Sequence, residues 1–474
     1  MQQESLITFL KGDSVGAETD YRDALPVNMT GIVREVLGAN GYMIELEGLS
    51  LFGEGSGIDR GANWNERFNQ HYRLSGQDFI SVSQTGVKTV ISSGVLGNKQ
   101  ASFPYSFETQ GLVADGKFYL YDPVNGPRQV TDPDIRIPID GTWIDGYYCF
   151  TDGEYLYHTE IIAGTPIEDS IQPLALATAE FSPDATVGVG RTTDNKWIAF
   201  NRYTIEFFQN VGGNTFAFQR VSGRQVSTGL VATHAKIMLD DIWFFVGSGK
   251  NEATSVFALG SGAANKIATR EVEKILAQYA DSELANTVME KRQIDGYSFL
   301  MIHLPNETLL FNYTLSQSVG TGNAWSKMTS GTSATQWIGK NGIFDPRIGY
   351  WIYGDKTDAL LGKLESTTSE QYGEIQEFYL DTPFMNLETA SIDEVEIQTI
   401  PGFTATSDAT VFLSITSNGV SYSQERTIDY GLPGAYGKRF IARRLGYVSD
   451  WFAIRLRGAS RSRMVFSAAK LKYG

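Results

Sequence analysis

The chain has 474 residues, 42% of them apolar and 20% charged, and its 39 basic and 54 acidic residues leave a net charge of −15. That is long enough for two or more domains with a sizeable core, and too apolar for a disordered chain. The one cysteine, Cys149, excludes an internal disulfide, and no apolar run is long enough for a membrane-spanning helix.

The first twenty residues, MQQESLITFLKGDSVGAETD, are mixed and polar, with neither the basic start nor the apolar stretch of a signal peptide. They read as an arm or an irregular lead-in. A strand is predicted from Tyr42 to Phe52, broken at Gly48. Residues 1–57 are too few for a domain of their own, so they are assigned as an N-terminal arm and a strand that closes a later sheet.

From Gly61 onward short strands and tight turns follow one another. ANWNERF, HYRLSG, DFISVS and KTVIS make a first four-strand unit, and YSFETQ, GLVADG, KFYLYD and PRQVT a second. The third runs from Gly141 through YYCFTDGEYLYHTEI towards Ala179. VGVGRT, KWIAFN, TIEFFQ and FAFQRVS form a fourth, and AKIML, IWFFVGS, TSVFALG and NKIAT a fifth. An acidic turn followed by an aromatic strand recurs at Asp115-Gly116, Asp145-Gly146, Asp194-Asn195, Asp240-Asp241 and Asp295-Gly296, the chemistry of hairpin turns that need positive φ. Units of this size at uneven spacing predict a β-propeller of six or seven blades over residues 58–366.

A helical insertion is predicted at residues 267–290. Val272, Ile275, Leu276 and Tyr279 fall at the i, i+3, i+4, i+7 spacing of one helix face. Asp281 stands where an N-cap acceptor is wanted, with Glu283 in the first turn and Leu284 and Val288 on one side. Two readings of the four apolar residues stay open: contacts for a partner or a neighbouring subunit, or a cover on the fifth blade's flank. From Thr287 the period switches: Val288, Glu290, Arg292 and Ile294 lead into Asp295-Gly296, and with strands over Tyr297–Leu304, Thr308–Leu315 and Ala324–Met328 they make a sixth unit of four strands. TQWIGK, GYWIYGD and ALLGKLES give only three strands of a seventh, and the segment from Tyr42 to Phe52 is the strand it lacks, closing the ring and removing two sheet edges.

Past Ser366 a polar hinge leads to strands that alternate apolar and polar residues, with a hairpin turn at Asn418-Gly419. Residues 367–474 read as a C-terminal β-sandwich, so the fold class is mainly β. From Lys438 to the last residue there are ten basic side chains against one acid, Asp450. Arg455 and Arg457 alternate with Ile454 and Leu456, which places them on the charged face of a strand rather than in a disordered arm. Docking on an acidic surface of this chain or a neighbouring copy is the preferred reading, and binding to DNA the other.

Signals for catalysis are poor. Gly247-Ser248-Gly249-Lys250 has Phe244 where a phosphate loop needs its first glycine and Asn251 where it needs Ser or Thr. Gly260-Ser261-Gly262 lacks the third glycine of a dinucleotide site. Pro133 and the lack of a turn glycine argue against a calcium loop at Asp132, Asp134 and Asp140, and the four histidines are scattered. No catalytic, metal or cofactor-binding residue is assigned and no cofactor is expected.

YRDALPVNM, GYMIELEGL, SGIDRG, the long run KIATREVEKILAQYADSELANTVMEKRQIDGYSFLMIHLPNETLLFNY, and SITSNGVSYSQER occur in an order that resembles the packaged-DNA stabilisation proteins of short-tailed phages, the podoviruses. The resemblance covers nearly the whole chain, and its central run is the most specific part. It implies a non-enzymatic structural protein of the virion tail, a hub or nozzle assembled in the host cytoplasm, without membrane insertion, as a closed hexameric ring. The partners it implies are a head-to-tail adaptor, a tail needle or plug, and tailspikes or fibres, with genomic DNA retained and later passing through on ejection. The alternative is a propeller that hydrolyses or binds glycans as a tail protein.

Overall fold

The computed structural model describes residues 3–10, 12–16, 20–179, 181–260, 262–333, 335–404 and 409–474; Ser261 and parts of the predicted lead-in lie outside them. Seven antiparallel sheets succeed one another along the chain and form the blades of a propeller. Their first strands are Asp59–Asn65, Gln110–Ala114, Asp140–Ile144, Thr186–Arg191, Lys236–Leu239, Val288–Ile294 and Gly339–Asp345. The blade number is thus seven, with the Asn63 region inside the first blade.

Turn chemistry explains why the blades form where they do. Between the first and second strands of the second, third and sixth blades, the pairs Asp115-Gly116, Asp145-Gly146 and Asp295-Gly296 have φ of 45° and 77°, 51° and 93°, and 50° and 79°. Two consecutive positive φ values are the requirement of a type I′ hairpin turn, whose twist matches that of the strands. Asp240 and Asp241 do the same in the fifth blade, at 47° and 64°. The seventh blade takes its outermost strand from the N-terminal region, Gly48–Glu54, paired antiparallel with Leu360–Glu365. A methyl group on Gly53 would stand 2.1 Å from the Gly86 carbonyl oxygen, so only glycine lets this strand lie against the first blade.

Three local expectations are corrected. YSFETQ is not a strand: Ser106 accepts the N–H groups of Glu108 and Thr109 through its hydroxyl and folds the segment into a turn, leaving the second blade with three strands. The strand from Thr308 stops at Asn312, whose side chain caps a helix at Tyr313–Val319 by accepting the Leu315 N–H at 2.9 Å. The predicted insertion at 267–290 is two short helices, Arg270–Leu276 and Asp281–Leu284, and Val288 already belongs to the sixth blade's first strand. Asp281 does not cap. Glu283 instead accepts the Ala280 N–H at 2.8 Å, while Asp281 pairs with Arg202 at 2.8 Å.

The C-terminal domain is a two-sheet sandwich, but residues 367–474 do not complete it. One sheet holds Arg426–Asp429, Thr410–Thr416, Trp451–Ser460, Gln376–Asp381 and Met385–Asn386. The other holds Phe440–Val448, Ala390–Thr399 and Val465–Tyr473, then Gln3–Thr8, Tyr42–Glu45 and Met29–Ile32. The expectation of an irregular lead-in is therefore corrected: Gln3–Thr8 runs along the last strand from Gln3 opposite Tyr473 to Thr8 opposite Ala468. Ile7, Phe9, Met29 and Met43 are buried with Phe378, Leu413, Phe452 and Phe466 in one core. The last strand is buried across Phe466 to Ala469 and is paired on both edges, by Ala390–Thr399 on one side and by Gln3–Thr8 and Tyr42–Glu45 on the other, so its backbone groups find partners. The chain thus starts in the sandwich, lays down the ring-closing strand, builds the propeller and returns.

Candidate functional site

The propeller axis is the first place to look for chemistry, because a cavity of about 520 Å3 opens there among Asn63, Trp64, Gln100, His234, Lys236, Glu290, Asn341 and Trp351. Its buried charges connect blades. Asp59 accepts Arg73 Nε at 3.1 Å and Asn341 Nδ2 at 2.6 Å, and Arg73 also donates to the Asn341 carbonyl at 2.5 Å, which fastens the seventh blade to the first. Asp140 of the third blade accepts Ser102 Oγ at 2.5 Å, Val189 N at 2.8 Å in the fourth and Lys236 Nζ at 2.7 Å in the fifth. Burial opposes its charge, but Lys236 holds its carboxyl below the ordinary value.

Glu290 joins the sixth and seventh blades. It accepts the backbone N–H of Asn341 and, at 3.1 Å, that of Gly342, and its Oε1 lies 3.0 Å from His303 Nε2. Burial alone would raise this carboxyl, and His303 with the two amides brings it down to about 2. Burial, with Lys356 nearby, pushes His303 down to about 4, so the ring is neutral at pH 7. Each of these carboxylates is engaged by donors from a neighbouring blade, which makes them interblade fasteners rather than a general acid and base. No group of three or more His, Cys, Asp or Glu fit to hold a metal occurs among the described residues. Cys149 is buried, and desolvation pushes its thiol well above the ordinary value, the opposite of an activated nucleophile.

The second buried polar cluster sits where the chain crosses from sandwich to propeller. Glu47, 4% exposed, lies 3.1 Å from Arg292 of the sixth blade and 2.9 Å from Arg463 of the sandwich. Burial raises and the two guanidiniums lower its carboxyl, with a net lowering. Two residues earlier, Glu45 has no exposed surface. Its Oε2 accepts Met464 N at 3.2 Å, Oε1 has no partner among the described residues, and burial pushes it up to about 8. One glutamate is charged and the other neutral because only Glu47 faces two guanidiniums.

The residues singled out in the sequence do not come together. Val272, Ile275 and Leu276 are 0%, 2% and 0% exposed and pack in the core that joins the fourth, fifth and sixth blades, with Tyr279 half-buried against it. Val272, Ile275 and Leu276 cover the blade flank, while Tyr279 keeps part of its surface accessible. Arg455 and Arg457, by contrast, are held inside the sandwich and not against the propeller. Arg455 makes two parallel bonds to Asp381 at 2.7 and 2.8 Å and lies over the Tyr422 ring. Arg457 makes two to Glu425 at 2.8 and 2.6 Å, pairs with Glu377 and lies over Phe412. Most of the rest of the basic segment follows the same rule: Lys438 pairs with Asp429, Arg439 with Glu396, Arg443 and Lys472 with Glu394, Arg461 with Glu370, Arg463 with Glu47, and Lys470 with Glu4. These acids were in plain view in the sequence, but nothing in their local spacing assigns them to those arginines.

Comparison with known proteins agrees with this two-part architecture. Residues 5–369 match the family described as bacteriophage P22 Gp10, β-propeller, and residues 377–474 match bacteriophage P22 Gp10, β-sandwich. A curated relative, tail hub protein gp10 of Salmonella phage P22, is 29% identical over 470 residues, covering 96% of either chain. Two solved structures show a distant likeness. The extracellular domain of a one-component system of B. thetaiotaomicron has a TM-score of 0.44 at 8% identity over 68% of this chain and 41% of its own. That of a hybrid two-component system from the same organism has 0.41 at 10%, over 77% and 43%.

Proposed function

This chain belongs to the bacteriophage P22 Gp10 family, and on that premise we propose that it is a tail hub, a structural protein of a short-tailed phage virion. The observation that carries the reading is the end-to-end similarity to a tail hub protein, with propeller and sandwich in the same order. The buried charges support it, since the axial carboxylates are engaged between blades and most of the basic terminus is paired with carboxylates of the same chain. What remains is an acidic building block. In the assembled tail several copies, six in this proposal, form a ring that takes an adaptor above it, a needle or plug below and tailspikes or fibres at its side. The ring retains packaged DNA and forms part of the channel by which it leaves. A net negative surface suits that role, because it does not trap passing DNA through counterion release.

Removing the protein from the phage tests the reading. Particles lacking it are expected to package DNA and then lose it, with tails that stop short of needle and spikes in electron micrographs. Purified tails are expected to release it as a ring of roughly six times 52.3 kDa by light scattering. Normal DNA retention without the protein, or release of sugar from host polysaccharide by a monomer or trimer of it, would overturn the proposal.

A further inference from the structure

A second cleft adjoins the axial cavity, with which it shares Glu66 and Phe103, near the turns that flank the first strands of the first four blades. It has a volume of about 400 Å3 and is lined by Glu66 and Arg67 after the first blade's inner strand, Tyr105 and Phe107 before the second blade, Trp143 in the third and Arg191 in the fourth. Phe107 is 62% exposed, an unusual position for a phenyl ring, and it meets Trp143 edge-to-face at 5.2 Å. Each ring carries an arginine on its own carbonyl. Arg67 Nε donates to Phe107 O at 3.3 Å with its guanidinium 5.5 Å from the Phe107 ring centre, and Arg191 Nη1 donates to Trp143 O at 3.3 Å.

Those two arginines differ from most others in the chain. Most arginines of the sandwich's last strands are matched with carboxylates, as are Arg60, Arg73, Arg128, Arg136 and Arg347 in the propeller. Among the described residues neither Arg67 nor Arg191 has an ion-pair partner, although the chain carries 54 acids. A backbone carbonyl fixes each guanidinium and leaves most of its N–H groups free, at the rim of an aromatic-walled cleft. Two forks of this kind are suited to carboxylate oxygens, and the aromatic walls to an apolar side chain next to them.

We propose that this cleft is a docking site for a partner protein's acidic segment, in which an Asp or Glu side chain lies between Arg67 and Arg191 and a neighbouring aromatic or aliphatic side chain rests on Phe107 and Trp143. Charge complementarity selects the occupant. A nucleic acid strand also offers anions and flat rings, but a run of phosphates would meet Glu66 in the same cleft and the net charge of −15 around it. A single carboxylate on a short apolar segment brings one negative charge instead of a run of them, so the two arginines outweigh Glu66. The site lies within one chain's propeller and does not depend on how many copies form the hub.

The test uses the full chain as bait for a displayed library of random heptapeptides, with an Arg67→Gln/Arg191→Gln variant of the same thermal stability as counter-bait. Selected peptides are expected to pair an acid with an adjacent aromatic or aliphatic residue. By fluorescence polarisation they are expected to weaken about tenfold for each arginine removed, the size of one charge-assisted hydrogen bond, and to weaken again on Phe107→Ala. A labelled oligothymidine serves as the nucleic-acid probe. Failure to select any peptide, selection of peptides without acids, equal binding to the double variant, or tighter arginine-dependent binding of the oligothymidine would each overturn the proposal.

Discussion

Glu45 makes stability at the domain crossing depend on pH in a direction that can be worked out. Its carboxyl has an ordinary value of 4.5 and rises to about 8 in the folded chain because burial disfavours the charge. Between those values the folded state keeps a proton that the unfolded state releases, so stability falls as pH rises, by about 1.4 kcal/mol per pH unit for one proton. The contribution is fully present below about pH 4.5 and lost as pH passes through about 8, an order-of-magnitude total of about 5 kcal/mol. Replacing Glu45 by Gln retains the shape of the neutral form and an acceptor for the Met464 N–H while removing the titration. Urea unfolding of both proteins from pH 5 to pH 9, followed by circular dichroism, reads the difference and cancels all other titrating groups. The variant is expected to match the parent near pH 5 and to exceed it increasingly towards pH 9. Parallel profiles, or a variant less stable than the parent at pH 9, would refute the assignment of a neutral Glu45.

Gly53→Ala is expected to destabilise the propeller by forcing apart the ring-closing strand and the Gly86 backbone, 2.1 Å from the new methyl group, and faster hydrogen exchange in Gly48–Glu54 and Leu360–Glu365 reports it. Ile275→Ala should cost about 2–5 kcal/mol as a buried large-to-small change; a variant of unchanged thermal stability that fails only in assembly would return the helix to the role of a partner contact. Arg455→Gln leaves Asp381 without its fork and is expected to lower the sandwich's stability by about 1–2 kcal/mol, discounted for partial exposure, with a smaller difference in 1 M salt. The full chain should show no duplex DNA binding at physiological ionic strength, since most arginines of the last strands are already paired; a micromolar, salt-sensitive dissociation constant in a gel-shift or polarisation assay would contradict that pairing.

What the sequence determined by itself was local. Alternation within strands and acidic turns at Asp115, Asp145, Asp240 and Asp295 set the hairpins, because a type I′ turn needs two positive φ values that those residues accept cheaply. From the hairpins follow the blades, the shift to a sandwich after Ser366, and the shortage of one strand in the seventh blade. The periodicity of Val272, Ile275, Leu276 and Tyr279 likewise marked a helix face, but periodicity is the same whether that face meets its own core or a partner. Only the packed chain decided that three of them lie at 0–2% exposure against neighbouring blades. The recruitment of Gln3–Thr8 to the last strand, the matching of Arg455 with Asp381 and of Arg292 and Arg463 with Glu47, and the meeting of Arg67 and Arg191 at one cleft were decided there too. These are contacts between residues tens to hundreds of positions apart. A hairpin is specified by neighbours in the chain, whereas a charge pair or a covered edge is specified by which surfaces the closed ring and the sandwich bring within reach.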